Sequence, residues 1–255
     1  MILHLLPTRT GGAAENMALD FLLLQRYPDT TAPRFRHYEW HRPAFTFGYA
    51  QKIGFVREQL RASAGSAPED FDLCRRPTGG GLVDHRDDWT YAVVIPRGHP
   101  LEEVRAAQSY RLIHEALAEA LRAQGIAAQT KLTDAEPMAD DDAPLNEVAA
   151  KAKSPAVAGV CFQRAEIHDV VHASSGEKIA GAAQKRNKHG LLFQGSIWRP
   201  AASGVDWERF QSDFTTHIAA ALEVPPEDVP WPEFNDDEVS GLTGQYSSPE
   251  WIELR

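Results

Sequence analysis

Three consecutive glycines, Gly79, Gly80 and Gly81, stand between two strand-like runs and impose a bare-backbone turn on whatever sheet those runs join. Glycine reaches positive φ without steric penalty and carries no side chain, so a ligand chain or a phosphate can lie directly on such a turn. Arg75 and Arg76 precede it and bring fixed charge with forked donors. The full string is Arg75-Arg-Pro-Thr-Gly-Gly-Gly-Leu-Val-Asp-His85, with Thr78 inside it and His85 closing it. It is neither Gly-x-x-x-x-Gly-Lys-Ser/Thr nor Gly-x-Gly-x-x-Gly, which excludes those two nucleotide-binding patterns. A triple glycine alone is as readily a plain tight turn, so the specificity lies in the whole string. His85 reads first as a hydrogen-bonded wall residue.

A second dense motif is Lys178-Ile-Ala-Gly-Ala-Ala-Gln184, which sets one long cation at the mouth of a small-residue strand containing Ala180 and Gly181. Cys161, in Ala158-Gly-Val-Cys161-Phe, lies between the two motifs. A free thiol has a pKa of ~8.5, and a neighbouring cation lowers it. A thiolate made this way attacks a thioester, and the acyl-enzyme passes its acyl group to an amine. The bland alternative is an inert, buried strand-end cysteine. Cys74, in the apolar run Phe71-Asp-Leu-Cys74, reads as core packing. His168 and His172 have the period-2 spacing of one strand face, but no third ligand of matching spacing follows, so no metal site is expected.

The remaining pattern mixes strands and helices. The amino terminus reads as a first strand. Glu15 to Gln25 suits a buried helix ended by Tyr27-Pro28. Phe35–Trp40, Ala44–Gly48, Leu73–Arg75 and Thr90–Ile95 read as strands, and Gln51–Ala64 as a short helix. Leu101–Gln124 has helical spacing and is ended by Gly125. Residues 133–158 lose periodicity and are rich in Asp, Ala and Pro, as expected of a mobile loop. Ile167–Val171, Lys178–Ala183 and Leu191–Trp198 form a plausible antiparallel meander, with turn chemistry at Ser174–Glu177. Asp206 can cap a helix running to Leu222, and the tail beyond it has few apolar runs. Without regular βαβ alternation, the fold class is α+β: a mostly antiparallel mixed sheet with packed helices. No linker divides residues 1–255, so one domain is expected.

The net charge of −10 argues against a nucleic-acid partner, although Lys185-Arg-Asn-Lys-His189 forms a local basic patch that reads as a solvated turn. No apolar run approaches the roughly 18 residues that span a bilayer, so no membrane association is expected. The amino terminus lacks the pattern of a signal peptide, and two cysteines do not make a disulfide framework; both fit a cytoplasmic setting.

Taken together, these motifs resemble the lipoate/octanoate–protein ligase and transferase superfamily, which shares a catalytic fold with biotin–protein ligases. Glu15–Asp20 looks like its first-helix motif, Trp40–Gln51 like its Trp…Pro…Gly…Gln segment, Arg75–His85 like its glycine signature, and Lys178–Gln184 with Leu191–Ile197 like its lysine hairpin. The resemblance implies that Arg76, Thr78, Gly79, Gly80, Gly81, His85, Ala180 and Gly181 bind the substrate. It implies that Lys178 contacts the acyl carbonyl. Val160-Cys161-Phe162 is similar to the segment that carries the nucleophilic cysteine of octanoyltransferases, so Cys161 and Lys178 are the expected catalytic pair. Octanoyl-acyl carrier protein is the implied donor and a lipoyl-domain lysine the acceptor, with no cofactor required. Two alternatives stand beside this: an ATP-dependent lipoate–protein ligase, which needs ATP and Mg, and a non-catalytic acyl-binding protein. The chain stops soon after Trp251, without the accessory domain that many such ligases carry.

Overall fold

The computed structural model describes residues 1–63, 70–132 and 165–254. In chain order its elements are β1 (Leu3–Gly11), α1 (Ala13–Gln25), β2 (Arg34–Trp40), β3 (Ala44–Phe47), α2 (Ile53–Ser63), β4 (Asp72–Arg75), β5 (Leu82–Asp84), β6 (Asp88–Pro96), α3 (Pro100–Glu103) and α4 (Ala106–Ala123). After these come β7 (Ala128–Thr130), β8 (Val170–His172), β9 (Lys178–Asn187), β10 (Gly190–Trp198), α5 (Trp207–Ala221), β11 (Pro226–Asp228), α6 (Asp236–Ser247) and α7 (Pro249–Ile252). The expected loop 133–158 and Cys161 lie outside the described residues.

The fold is α+β, as the mixed pattern indicates. Among the described residues one sheet has eight strands in the order β11-β1-β2-β6-β10-β9-β8-β7, and a second has the order β4-β3-β5. In the large sheet β1 pairs in parallel with β2 and β11. The other neighbours are antiparallel. The meander expected from Ile167–Val171, Lys178–Ala183 and Leu191–Trp198 is present as β8-β9-β10, but β8 begins only at Val170 and ends at His172, and β9 runs on to Asn187.

β6 shows why the sheet is central. Side chains alternate along a strand. Trp89, Tyr91, Val93 and Ile95 pack on one face with Ile113 and Leu117 of α4 and Phe210 and Phe214 of α5. Ala92 and Val94 pack on the other with Met17, Leu23 and Leu24 of α1 and Tyr246 of α6. Helices on both sides let β6 read as an unbroken apolar run. Gly195 on β10 leaves room for this packing, since a Cβ there would fall 2.1 Å from the Tyr91 ring.

Three expectations change. The run Leu101–Gln124 is two helices. Val104 is extended (ψ 163°), and the Gln108 side chain accepts the Arg105 N–H at the start of α4. The apolar spacing continues across this break, so periodicity does not reveal it. His168 lies outside β8 in a turn with φ 70°, so it shares no strand face with His172. The tail contains α6, capped by Asn235, and Tyr246 of α6 meets Phe21 of α1 edge-on at 6.4 Å. Among the described residues no helix is long and apolar enough to cross a membrane.

Candidate active site

The glycine turn leaves β4 and returns as β5, and it lies on the end of β3. Gly80 has φ +86°, a backbone conformation that suits glycine. Tyr49 N–H donates to Thr78 O (2.8 Å), and Arg76 N–H to Phe47 O (2.8 Å). The approach is so close that a Cβ on Gly48 would sit 2.0 Å from Gly80 O. A clash with backbone cannot be relieved by a rotamer change. Gly48→Ala is therefore expected to cost about 1–3 kcal/mol of stability, as overpacking does, measured by chemical denaturation. An unchanged denaturation midpoint would show that the turn moves freely.

The two arginines face inward. Arg75 is fully buried and donates to the carbonyls of Tyr49, Gln51, Trp251 and Ile252 at 2.7–3.0 Å, which ties the turn to α7. Arg76 donates to Thr46 Oγ1 (2.8 Å) and to the carbonyls of Gly79 and Gly81 (2.9 Å each). The resemblance implies a substrate-binding role for Arg76. Buried guanidinium groups need acceptors, and here those acceptors are backbone carbonyls, two of them in the turn itself, together with the Thr46 hydroxyl. Arg76 thus shapes the turn from beneath.

His85 is the wall residue that the sequence suggests. Its Nδ1 lies 2.7 Å from Asp88 Oδ2, its Nε2 lies 2.6 Å from Thr46 Oγ1, and its ring is 4.2 Å from that of Trp40. Burial alone would raise the Asp88 pKa. The His85 charge and hydrogen bonds from His85, Ser196 and Thr90 outweigh it and hold the carboxyl below its usual range. Thr78, at the other side of the turn, donates to Gln194 Oε1 (2.7 Å), and Gln194 Nε2 donates to Asp20 Oδ2 (2.6 Å). Asp20 in turn pairs with Arg36 at 2.7 Å, both side chains fully buried. The turn is therefore braced by two buried polar chains. A cleft of about 400 Å³ borders Trp40 and His85.

Lys178 opens β9. Its Nζ lies 2.7 Å from Asp169 Oδ2, and the two side chains are 5% and 2% exposed. Asp169 also accepts the Tyr110 hydroxyl (2.6 Å) and the Glu166 N–H (2.8 Å). Ala182 N–H donates to the Tyr110 oxygen (2.8 Å), which fixes the phenol against β9. Burial, then the Asp169 charge, raise the Tyr110 pKa well above its ordinary value, so the phenol keeps its proton. His114 on the same helix is pushed down to about 4, chiefly by burial, and is neutral near pH 7. Gly181 makes room for the lysine, since a Cβ there would meet Lys178 Nζ at 2.7 Å. Ala180, by contrast, is buried in the main core.

The two motifs face each other. A Cβ on Gly80 would lie 3.7 Å from Ala183 Cβ, an ordinary van der Waals contact, so the glycine turn and β9 adjoin. Among the described residues no group of His, Cys, Asp or Glu is arranged to hold a metal ion. No site role is assigned from the sequence to Asp169, Tyr110, Gln194, Asp20 or Gly48, although Asp20, Gly48 and Gln194 lie inside the segments that carry the family resemblance and Asp169 is a carboxylate next to the strand that pairs with β9.

A family model described as the lipoyl protein ligase A/B catalytic domain matches residues 12–199. An octanoyltransferase LipM of Exiguobacterium sp. is 32% identical over 213 residues, 83% of this chain and 71% of the relative. The octanoyltransferase LipM of Geobacillus kaustophilus is 34% identical over 185 residues, 72% of this chain and 60% of the relative. That of Kyrpidia tusciae is 32% identical, and the match spans 65% of its length. Among solved structures, a bi-partite lipoate protein ligase from Thermoplasma acidophilum superposes with TM-score 0.69 at 18% identity, covering 100% of this chain and 98% of that one. A lipoate-protein ligase A bound with ATP gives 0.68 at 17% identity, covering 100% and 99%. At such identities the structural likeness concerns the fold.

Proposed function

The chain belongs to the lipoyl protein ligase A/B catalytic-domain family, and we propose that within it the protein is an octanoyltransferase that takes octanoate from acyl carrier protein to a lysine of a lipoyl domain. The observation that carries this reading is the similarity to octanoyltransferases over 83% of the chain. The close approach of the glycine turn to β9, with Lys178 held by Asp169 beside Gly181, supports it, and we place the acyl chain in a slot along that junction.

The chemistry divides into two exchanges. The Cys161 thiolate attacks the carbonyl carbon of the carrier thioester, and a tetrahedral oxyanion forms. Its collapse breaks the bond to the carrier sulfur, which leaves as a thiolate and takes up a proton. The amine of the acceptor lysine then attacks the new thioester. Collapse of the second oxyanion forms the amide, expels Cys161 as thiolate and releases the proton of the attacking amine. Lys178 opposes the negative charge that develops on the carbonyl oxygen in both steps. Asp169 and Tyr110 hold the ammonium in place, so little reorganisation accompanies each step. Gly79, Gly80, Gly81 and Gly181 leave the backbone bare for the acyl chain, and His85 with Thr78 fixes the shape of the turn. The protein works in the cytoplasm, where both partners are met.

Energetics separate this from ligation. A free carboxylate has an oxide leaving group and must first become a mixed anhydride, which consumes ATP. A thioester is already activated. The chain is expected to transfer octanoate from octanoyl-carrier protein to a lipoyl domain without ATP or Mg²⁺, and to turn over free lipoate little even with both. The two assays are run side by side with mass detection of the acceptor. Transfer from free lipoate alone, and only with ATP, would replace this reading with a ligase.

A further inference from the structure

We infer that a cationic rim formed by Lys185, Lys188, Arg97 and His189 is the docking surface for the acidic protein that carries the acyl group. The inference rests on the octanoyltransferase reading and adds to it the surface that selects the donor.

Acidic residues outnumber basic ones by 36 to 26 in this chain, yet four of the five residues from 185 to 189 are Lys, Arg or His. The fold adds Arg97 to that cluster. Its backbone N–H donates to His189 O (3.1 Å) and its Nη1 to Lys188 O (3.2 Å). These contacts join the end of β6 to the turn between β9 and β10. The sequence alone reads this run as a solvated turn, with nothing to relate it to the glycine motif.

Strand alternation relates them. Gln184 and Arg186 turn toward α4: Gln184 Nε2 donates to Ala106 O (2.7 Å), and Arg186 Nη2 to Ser109 Oγ (2.9 Å). Arg186 is thereby committed inside the fold. Ala183 and Lys185 turn the other way. Ala183 adjoins Gly80, and Lys185 Nζ stands 5.3 Å from the centroid of the Tyr49 ring. Tyr49 is the residue whose N–H bonds Thr78 O in the glycine turn. Lys185 therefore sits beside the glycine turn, four residues beyond Gly181 and the Lys178 ammonium, or about 13 Å of extended strand.

Lys185 packs on a ring and Arg97 bonds a carbonyl, so neither charge is neutralised by a carboxylate among the described residues. Lys188 and Arg97 are exposed. Uncompensated cations at the mouth of a slot raise the local concentration of an anionic partner and accelerate its association. The donor fits this position. Its leaving arm must run out along the slot while its carbonyl sits by Lys178, and Lys185 lies in that direction. An acidic carrier surface then meets the rim.

The test is charge reversal in the full chain at two exposed rim residues, Lys188→Glu and, separately, Arg97→Glu, which lies outside the hairpin. Three quantities are measured at ionic strengths from about 0.01 to 0.15 M: kcat/KM for octanoyl-carrier protein, kcat/KM for the uncharged thioester octanoyl-N-acetylcysteamine, and KM for the lipoyl-domain acceptor. For the wild type, carrier kcat/KM should fall as salt rises. Both variants should lose it by about tenfold or more at low salt, along with most of its salt dependence. The uncharged thioester and the acceptor KM should stay as in the wild type. Retained carrier kcat/KM would overturn the inference, as would an equal loss with the small thioester, which marks structural damage. A rise confined to the acceptor KM would assign the rim to the acceptor and likewise overturn it. A wild type inactive on both thioesters would instead remove the octanoyltransferase reading on which the rim depends.

Discussion

Lys178→Met is expected to slow octanoyl transfer by about 10²–10³-fold, the usual loss when a group opposing developing charge is removed. The structure adds a stability effect. Lys178 is paired with a buried Asp169, and breaking a buried pair by removing one partner typically costs about 3–5 kcal/mol. The Tyr110 hydroxyl and the Glu166 N–H still donate to that carboxylate, which should keep the cost toward the lower end. Adding Asp169→Asn removes the stranded charge, so the double variant should regain stability without regaining rate. Tyr110→Phe alone should lower kcat more than it changes the donor KM. In the Lys178→Met background it should slow the reaction no further, because its effect on rate passes through the lysine. Kinetics and denaturation curves on the four variants decide this. A Lys178→Met enzyme that loses stability but turns over near the wild-type rate would make the lysine structural.

Cys161→Ala is expected to abolish both transfer and the covalent octanoyl adduct, while Cys74→Ala keeps both. The contrast has a chemical cause. The Cys74 thiol is buried between β4 and α6, with its sulfur 3.6 Å from the carbonyl oxygens of Arg75 and Tyr246. Burial pushes it up to about 12, so it carries no nucleophilic thiolate near pH 7. Intact-protein mass after mixing with octanoyl-carrier protein, without nucleotide, reads the adduct directly. A fully active Cys161→Ala enzyme would remove the thioester route.

Local physics made the strands around the glycine motif and the β8-β9-β10 meander legible. Period-2 alternation, turn residues at Ser174–Glu177 and the apolar run of β6 each act over a few neighbours. The parallel pairing of β1 with β2 was not legible, because strand partners are chosen by burial across the whole sheet. The packing of α6 on α1 was hidden for a similar reason. Tyr246 takes part in that contact, and a single aromatic within Asp236–Ser247 carries no periodicity.

The site divides in the same way. By itself the sequence determined where bare backbone is needed, which lysine opens a small-residue strand, and that Cys74 belongs to the core. These are properties of residue type and short spacing. Only the tertiary structure decided what those residues do to one another. It turned Arg75 and Arg76 inward, where their guanidinium groups find backbone carbonyls and the Thr46 hydroxyl as acceptors. It brought Asp169 and Tyr110, 59 residues apart, together under Lys178. It set Gly48 beneath Gly80 and carried the basic hairpin beside the glycine turn. Each of these contacts joins segments distant in the chain, and only the packed core that brings the segments together determines them.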